Sequence, residues 1–136
     1  MTRNLKFFLS LFIGLITIEK VSAQEISNYQ DISIKADHVT LNKFTNQLLL
    51  KTDLQISFGD YTLYGDSAIL SYDEDKLVID GFPASILSNK DNINGTAKQF
   101  IIYPNLSMEM LGDAKLLQNN QSIYADQITY QISSND

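Results

Sequence analysis

Gly65-Asp66-Ser67-Ala68 is one of four short stretches of this chain in which a small residue precedes two polar residues and an apolar one. The other three are Ala36-Asp37-His38-Val39, Ala97-Lys98-Gln99-Phe100 and Ala125-Asp126-Gln127-Ile128, which gives spacings of 29, 32 and 28 residues. A second recurring pattern lies between these stretches, at Thr52-Asp53-Leu54, Gly81-Phe82-Pro83-Ala84 and Gly112-Asp113-Ala114. A unit of about 30 residues that recurs in this way predicts a repetitive β-architecture.

The segments between these stretches alternate apolar and polar residues with a period of two. Clear examples are Ile32-Ser33-Ile34, Leu54 to Phe58 and Ile128 to Ile132, which are rich in branched and aromatic residues. This alternation is typical of half-buried strands, and no window shows the three-and-four spacing of an amphipathic helix. The sequence therefore predicts a single all-β domain with little helix.

Turn residues separate the predicted strands at intervals of about 8–12 residues, which is typical of a sandwich or barrel. They lie at Asn42 to Asn46, Gly59-Asp60, Asp73-Glu74-Asp75, Asn89 to Asn92, Pro104-Asn105 and Asn119-Asn120. Asn94-Gly95 is interpreted as a further turn signal. The small residue of each repeat is interpreted as a bend or bulge within a strand, where the chain turns and keeps its apolar face inward.

The N-terminus has the features of an export signal. Arg3 and Lys6 precede an apolar stretch from Leu5 to Ile18, and Val21-Ser22-Ala23 fits a small-residue cleavage site. The apolar core is short for a membrane span, which needs roughly 20 residues, although an uncleaved anchor is the alternative. We expect a signal peptide over residues 1–23 and a mature domain over residues 24–136.

The charge balance and the absence of cysteine limit the function classes. Removing Arg3, Lys6, Lys20 and Glu19 from the 10 basic and 16 acidic residues leaves 7 and 15, a net charge of −8. This balance argues against a nucleic-acid partner, whose phosphates require a basic face. An exported domain without disulfides must depend on its hydrophobic core or on assembly.

Several of these stretches together resemble a known family. The resemblance lies in the first strand, Ile32 to Asp37, in Val78-Ile79-Asp80-Gly81-Phe82-Pro83-Ala84, and in the Ala97, Gly112 and Ala125 stretches that follow. In order and spacing these stretches are similar to those of the periplasmic lipopolysaccharide-transport bridge proteins, the LptA or OstA-like family. The similarity covers about residues 32–132. In that family the chain commonly continues past the strand Ile128-Thr129-Tyr130, whereas this one ends four residues after Ile132.

The resemblance implies a twisted, slightly open β-jelly roll whose apolar interior shields lipid acyl chains. It also implies a periplasmic, non-enzymatic protein that joins inner-membrane and outer-membrane transport components by edge-strand addition and forms head-to-tail homo-oligomers. The alternative within the same system is a membrane-anchored jelly-roll docking subunit, LptC-like, with a mainly structural role. A cleaved N-terminus favours the soluble bridge.

The inward positions of the predicted strands are the candidate lipid-binding residues. They are Ile32, Ile34, Leu54, Ile56, Phe58, Ala84, Ile86, Phe100, Ile102 and Ile128. Each residue taken alone is best interpreted as an ordinary hydrophobic-core residue, but in a lipid carrier the core and the binding surface are the same. Burial of an acyl chain is worth about 0.8 kcal/mol per methylene, so an apolar trough holds lipid without a charged clamp.

No residue pattern predicts catalysis, a metal or a cofactor. His38 is the single histidine, which argues against a histidine triad or zinc site and so against an exported hydrolase. Asp73-Glu74-Asp75 lacks the glycine and ligand spacing of a calcium loop and suits a hairpin tip. Five lysines are available singly to touch lipid phosphates, but we expect them to be solvated: Lys35, Lys51, Lys90, Lys98 and Lys115.

Overall fold

A computed structural model describes residues 10–12, 15–17, 32–105 and 107–131 of the chain. The chain divides into two compact units, Met1–Gln30 and Asp31–Asp136, and each is described by itself. In the first unit, strands β1 (Ser10–Phe12) and β2 (Leu15–Thr17) pair as an antiparallel hairpin. The rest of the predicted signal peptide, including its cleavage site, lies outside the described residues.

The second unit contains eight strands. They are β3 (Ile32–Lys35), β4 (His38–Asn42), β5 (Gln47–Phe58), β6 (Tyr61–Ser71), β7 (Lys76–Ser88), β8 (Ile93–Ile102), β9 (Ser107–Gln118) and β10 (Gln121–Gln131). Every regular element of the described ranges is a strand, as predicted. The described residues include no helix that is long and apolar enough to span a membrane.

The eight strands form one antiparallel sheet in which each strand pairs with the next along the chain, from β5 to β10. Strands β3 and β4 both pair with β5, with its second and first half respectively, so together they act as one bent strand at the edge. Strand β10 is the opposite edge. The order follows from tight turns, which keep sequence neighbours adjacent in the sheet.

The two recurring sequence patterns lie side by side in a single row of bulges that crosses the whole sheet. Each strand pair changes register there, with unequal numbers of residues on the two sides, and the row runs through residues 36–37, 52–53, 66, 81–83, 98, 112–113 and 126. Thr52, Asp53, Gly112 and Asp113 have positive φ of 70°, 51°, 85° and 48°, a conformation that occurs in one class of β-bulge. The predicted bends are confirmed.

This bulge row divides the sheet into two half-sheets. Half-sheet I consists of residues 32–35, 54–58, 61–65, 84–88, 93–97, 114–118 and 121–125. Half-sheet II consists of residues 38–42, 47–51, 67–71, 76–80, 99–102, 107–111 and 127–131. In both, alternate residues of the central strands are buried, so one face of the folded sheet encloses the core.

All six predicted turns lie between strands, but the interpretation of Asn94-Gly95 as a turn is wrong. Several of the turns contain asparagine or glycine with φ between 51° and 68°, including Asn46, Gly59, Asn92 and Asn119. The turn between β7 and β8 ends at Asn92, and Gly95 lies inside β8, paired with Ile86 and Leu116. A β-carbon at residue 95 would lie 3.0–3.3 Å from the side chains of Met110, Ile86 and Leu116, so a larger residue requires these side chains to move.

Candidate functional site

The ten predicted lipid-binding residues all lie on the inner face of the folded sheet. Seven of them are no more than 2% exposed: Leu54, Ile56, Phe58, Ala84, Ile86, Phe100 and Ile102. The other three, Ile32, Ile34 and Ile128, are half-buried because they belong to the edge strands β3 and β10, which have a neighbour on one side only. The alternation in the sequence therefore predicted the inner face for all ten residues, and their contact with lipid stays a prediction.

The inner faces of the two half-sheets pack directly against each other. A β-carbon on Gly95, in half-sheet I, would stand 3.0 Å from Cε of Met110, in half-sheet II. In the register of β8 and β9, Gly95 pairs with Leu116, six residues beyond Met110. Six residues of extended strand span roughly 20 Å, so this contact exists only because the sheet folds along the bulge row. The interior is closed and filled by side chains.

The interior also contains residues that the sequence prediction did not include. The buried set continues with Leu50, Tyr61, Leu63, Leu70, Leu77, Ile79, Ile93, Met108, Met110 and Leu116. Most of them follow the same period of two, as in Leu77 and Ile79 or Met108 and Met110, and that signal would have identified them. Tyr61 follows the same period with Leu63, two residues further along β6.

Tyr61 forms a polar boundary at one end of this interior. Its ring stacks on that of Phe58, with centroids 5.9 Å apart and an interplanar angle of 12°. Its hydroxyl donates a hydrogen bond of 2.7 Å to Oδ2 of Asp91. Burial, followed by interactions with Tyr130 and Asp91, raises the pKa of Tyr61 far above 10.0, so the hydroxyl stays protonated.

The lysines considered for lipid phosphates lie at the surface, and three of them have partners. Lys90 Nζ lies 3.4 Å from Oδ2 of Asp60, and Lys98 Nζ lies 3.5 Å from Oδ2 of Asp113. Lys115 Nζ is 5.5 Å from the centroid of the Tyr124 ring. Such exposed pairs contribute little stability, and these lysines remain solvated at the surface.

We find no alternative site among the other side-chain clusters of the described residues. The part of the chain that the structure describes contains no group of three or more histidine, cysteine, aspartate or glutamate side chains placed to bind a metal. A surface cleft of about 460 Å³ lies beside the β9–β10 edge, lined by Asp113, Ala114, Tyr124, Ala125 and Asp126. The two carboxylates in its lining do not suit an acyl chain, which requires continuous apolar contact.

Comparison with known proteins identifies the family. A family model described as "LptA/(LptD N-terminal domain) LPS transport protein" matches residues 33–136, which is most of the chain. The chain belongs to this LptA/LptD N-terminal domain family. The match includes every bend of the bulge row and nine of the ten candidate lipid-binding residues, all except Ile32.

A solved structure has the same fold as this LptA/LptD-family chain. It is that of LptH, the LptA-homologous periplasmic component of the lipopolysaccharide transport device of Pseudomonas aeruginosa. The TM-score is 0.67 at 19% sequence identity, over 75% of this chain and 76% of that one. The open antiparallel sheet folded into a jelly roll, as predicted for the LptA family, is therefore confirmed. A search of curated proteins finds no significant match.

Proposed function

We propose that this chain carries lipopolysaccharide across the periplasm, with the lipid A acyl chains held between the two half-sheets in contact with the ten inner-face residues defined above. The observation that carries the proposal is the interior itself: a continuous apolar layer between two halves of one sheet, in a family of lipopolysaccharide transport proteins. An acyl chain that replaces side-chain contacts there keeps the benefit of burial, about 0.8 kcal/mol per methylene. The role is transport without chemistry on the lipid.

The two edges of the sheet are the proposed contacts with inner-membrane and outer-membrane components and with further copies of the chain. In the described structure each edge strand has a neighbour on one side only, and such strands add further strands readily. Both edges expose apolar side chains: Val39 and Leu41 on β4 are 57% and 52% exposed, and Ile123 and Tyr124 on β10 are 45% and 68% exposed. Head-to-tail addition would cover both sets.

Photo-crosslinking in cells tests the lipid path. A crosslinking amino acid at Ile34, Ile86 or Phe100 is expected to capture lipopolysaccharide. The matched controls are their chain neighbours Ser33, Ser85 and Gln99, which lie on the outer face and are expected to capture none. Failure at all three inner positions, in protein shown to be folded, would contradict the proposal.

The anchored docking subunit is the competing function and differs at the N-terminus. The mass of the protein isolated from cells separates the two, since the soluble carrier is expected to begin at Gln24 and an anchored subunit to retain residues 1–23. The family model favours the carrier, because its description names LptA and the LptD N-terminal domain.

A further inference from the structure

We propose that the two half-sheets are offset by one strand, and that the uncovered half-strands at the two ends of the sheet overlap when copies of this chain join head to tail. Half-sheet II extends furthest at one end, with β4. Half-sheet I extends furthest at the other end, with residues 121–125 of β10. The inference rests on the head-to-tail addition of the proposed function and specifies which surfaces meet in it.

Two of the edge half-strands have inner faces that are exposed. Val39 of β4 pairs with Leu50, and Ile123 of β10 pairs with Leu116. Leu50 and Leu116 are buried on the inner face, so Val39 and Ile123 point to the same side of the sheet. Val39 is nevertheless 57% exposed and Ile123 45% exposed.

The other two edge half-strands are better covered. In half-sheet I, Ile34 on β3 is half-buried where Ile123 on β10 is exposed, and in half-sheet II the order is reversed, with Ile128 on β10 half-buried and Leu41 on β4 exposed. All four half-strands have a hydrogen-bonded neighbour on one side only within the described sheet. The difference therefore comes from the cover that the opposite half-sheet provides.

Contacts across the interior show the same offset. The β-carbon position of Gly95, on β8 in half-sheet I, lies 3.0 Å from Cε of Met110, on β9 in half-sheet II. That of Gly65, on β6 in half-sheet I, lies 2.5 Å from Cγ2 of Ile79, on β7 in half-sheet II. In both contacts, a strand of half-sheet I meets the next strand along the chain. Continued to the ends, this offset leaves β10 of half-sheet I and β4 of half-sheet II without an opposite strand.

A second copy supplies the missing strand at each end. Both β3–β4 and β10 run from half-sheet I to half-sheet II. Joining β10 of one copy to β3 and β4 of the next, with the inner faces on the same side, therefore pairs the strands in parallel and continues each half-sheet into the same half-sheet of the next copy. Strand β4 then lies beside residues 127–131 and opposite residues 121–125, where its Val39 and Leu41 cover Ile123.

Charge favours this junction over one between two β10 edges. Asp126 is the only charged residue of β10 (Gln121–Gln131) and lies at its midpoint. Antiparallel pairing of two β10 strands about a two-fold axis brings Asp126 close to its own copy, and like charges at such positions are destabilising. In head-to-tail pairing Asp126 lies beside the bulge at residues 36–37, where Lys35 balances the charge of Asp37.

Disulfide formation between two single-cysteine variants tests the strand pairing, because the chain contains no cysteine. Thr40 on β4 and Thr129 on β10 are exposed on the outer face of half-sheet II, and head-to-tail pairing makes them neighbours. A mixture of Thr40→Cys and Thr129→Cys is expected to form disulfide-linked dimers under mild oxidation.

Ser122→Cys provides the matched control, since Ser122 is also exposed on the outer face of β10 but lies in half-sheet I. Its mixture with Thr40→Cys is expected to give few dimers. A mixture of Ser122→Cys and Thr129→Cys reports antiparallel pairing of two β10 edges, and dimers formed mainly in that mixture would overturn the proposal.

Thiol labelling tests the overlap itself. Leu41→Cys and Ile123→Cys are expected to label roughly tenfold more slowly at a protein concentration where sedimentation shows about nine-tenths of the ends joined. The controls are the chain neighbours Thr40→Cys and Tyr124→Cys, which lie on the outer face and should keep their rates within about twofold. Equal slowing of inner and outer positions, or no slowing in associated protein, would overturn the overlap.

Failure of the overlap and failure of the carrier function give different results. A photo-crosslinker at Ile86 reports lipid in the interior of each copy, away from both edges. Capture of lipopolysaccharide there by a chain that stays monomeric at all concentrations, or that forms no Thr40–Thr129 disulfide, overturns the overlap and leaves the carrier function standing. The expected disulfide and slowed labelling without capture support the overlap and contradict the carrier function.

Discussion

Met110 closes over Gly95 so tightly that a β-carbon on the glycine would stand 3.0 Å from Cε of the methionine. The side chains of Ile86 and Leu116 approach the same point, at 3.1 and 3.3 Å. At this point the two half-sheets pack closely, with the methionine side chain reaching across from half-sheet II.

Gly95→Val is expected to force the half-sheets apart and to lower the free energy of unfolding by about 1–3 kcal/mol, the usual cost of overpacking. Chemical denaturation measures this. Met110→Ala in the same chain should recover part of the loss, since it removes the group that the new side chain meets. Additive effects in the double variant would show that the two residues do not limit each other. Gly59→Asn is the control, because no atom lies within 4 Å of its β-carbon position and asparagine tolerates its φ of 58°.

Gly65→Ala is expected to destabilise the protein by about 2 kcal/mol or more, although three of the four repeats carry alanine at the equivalent position. A β-carbon at residue 65 would lie 2.5 Å from Cγ2 of Ile79 and 2.9 Å from the carbonyl oxygen of Asp80, and the backbone atom cannot yield easily. Thermal and denaturant unfolding test this. A variant as stable as the wild type would mean that the bulge at residue 66 shifts without cost.

The raised pKa of Tyr61 predicts a loss of stability in alkaline solution. In the unfolded chain this hydroxyl ionises near pH 10.0, whereas in the folded chain it stays protonated to higher pH. The folded state therefore binds more protons above pH 10, and its stability falls there, by up to about 1.4 kcal/mol per pH unit. Below pH 10 the contribution is fully present.

Denaturant unfolding of the wild type and Tyr61→Phe at pH 9 and pH 11 measures this effect. The difference between the two proteins is expected to be smaller at pH 11, because phenylalanine cannot ionise. Equal differences at both pH values would contradict the assignment of the shift to Tyr61.

Leu41→Glu on the edge strand β4 is expected to weaken concentration-dependent association by roughly tenfold, since one charge placed in an apolar contact costs more than 1 kcal/mol. Leu41 is 52% exposed, so the fold should be unaffected. Sedimentation velocity over a range of concentrations measures the association. Ile69→Glu is the matched control: Ile69 is 37% exposed on the outer face, and its strand β6 lies between β5 and β7 rather than at an edge. Equal association of both variants would exclude the β4 edge as a contact.

Much of the fold could be predicted from local patterns. The alternation in Leu54 to Phe58, the turn residues and the recurrent small residues depend on neighbours in sequence, and each of them is confirmed. The interpretation of Asn94-Gly95 as a turn is wrong because the surroundings of this glycine depend on residues that are distant in the sequence. Gly95 lies close to Met110 of the other half-sheet, and no local sequence pattern predicts that contact.

The face of each leucine in Leu48-Leu49-Leu50 shows a similar limit. A run of three leucines has no alternation, yet Leu50 is 1% exposed on the inner face, while Leu49 pairs with Ile69 on the outer face. Register with β6 decides between them, and a shift of one residue would reverse every side chain of the strand.

The amino-acid sequence by itself thus determines where the strands, turns and bends lie, because these depend on dihedral preferences and periodicity over a few residues. Cross-strand register aligns the two recurring patterns in one row of bulges, and folding along that row brings Gly95 close to Met110 and Gly65 close to Ile79. Those contacts depend on pairing across the sheet and on close packing of its two halves. Only the tertiary structure determines these contacts, because neither strand pairing nor packing between the half-sheets is local in the sequence.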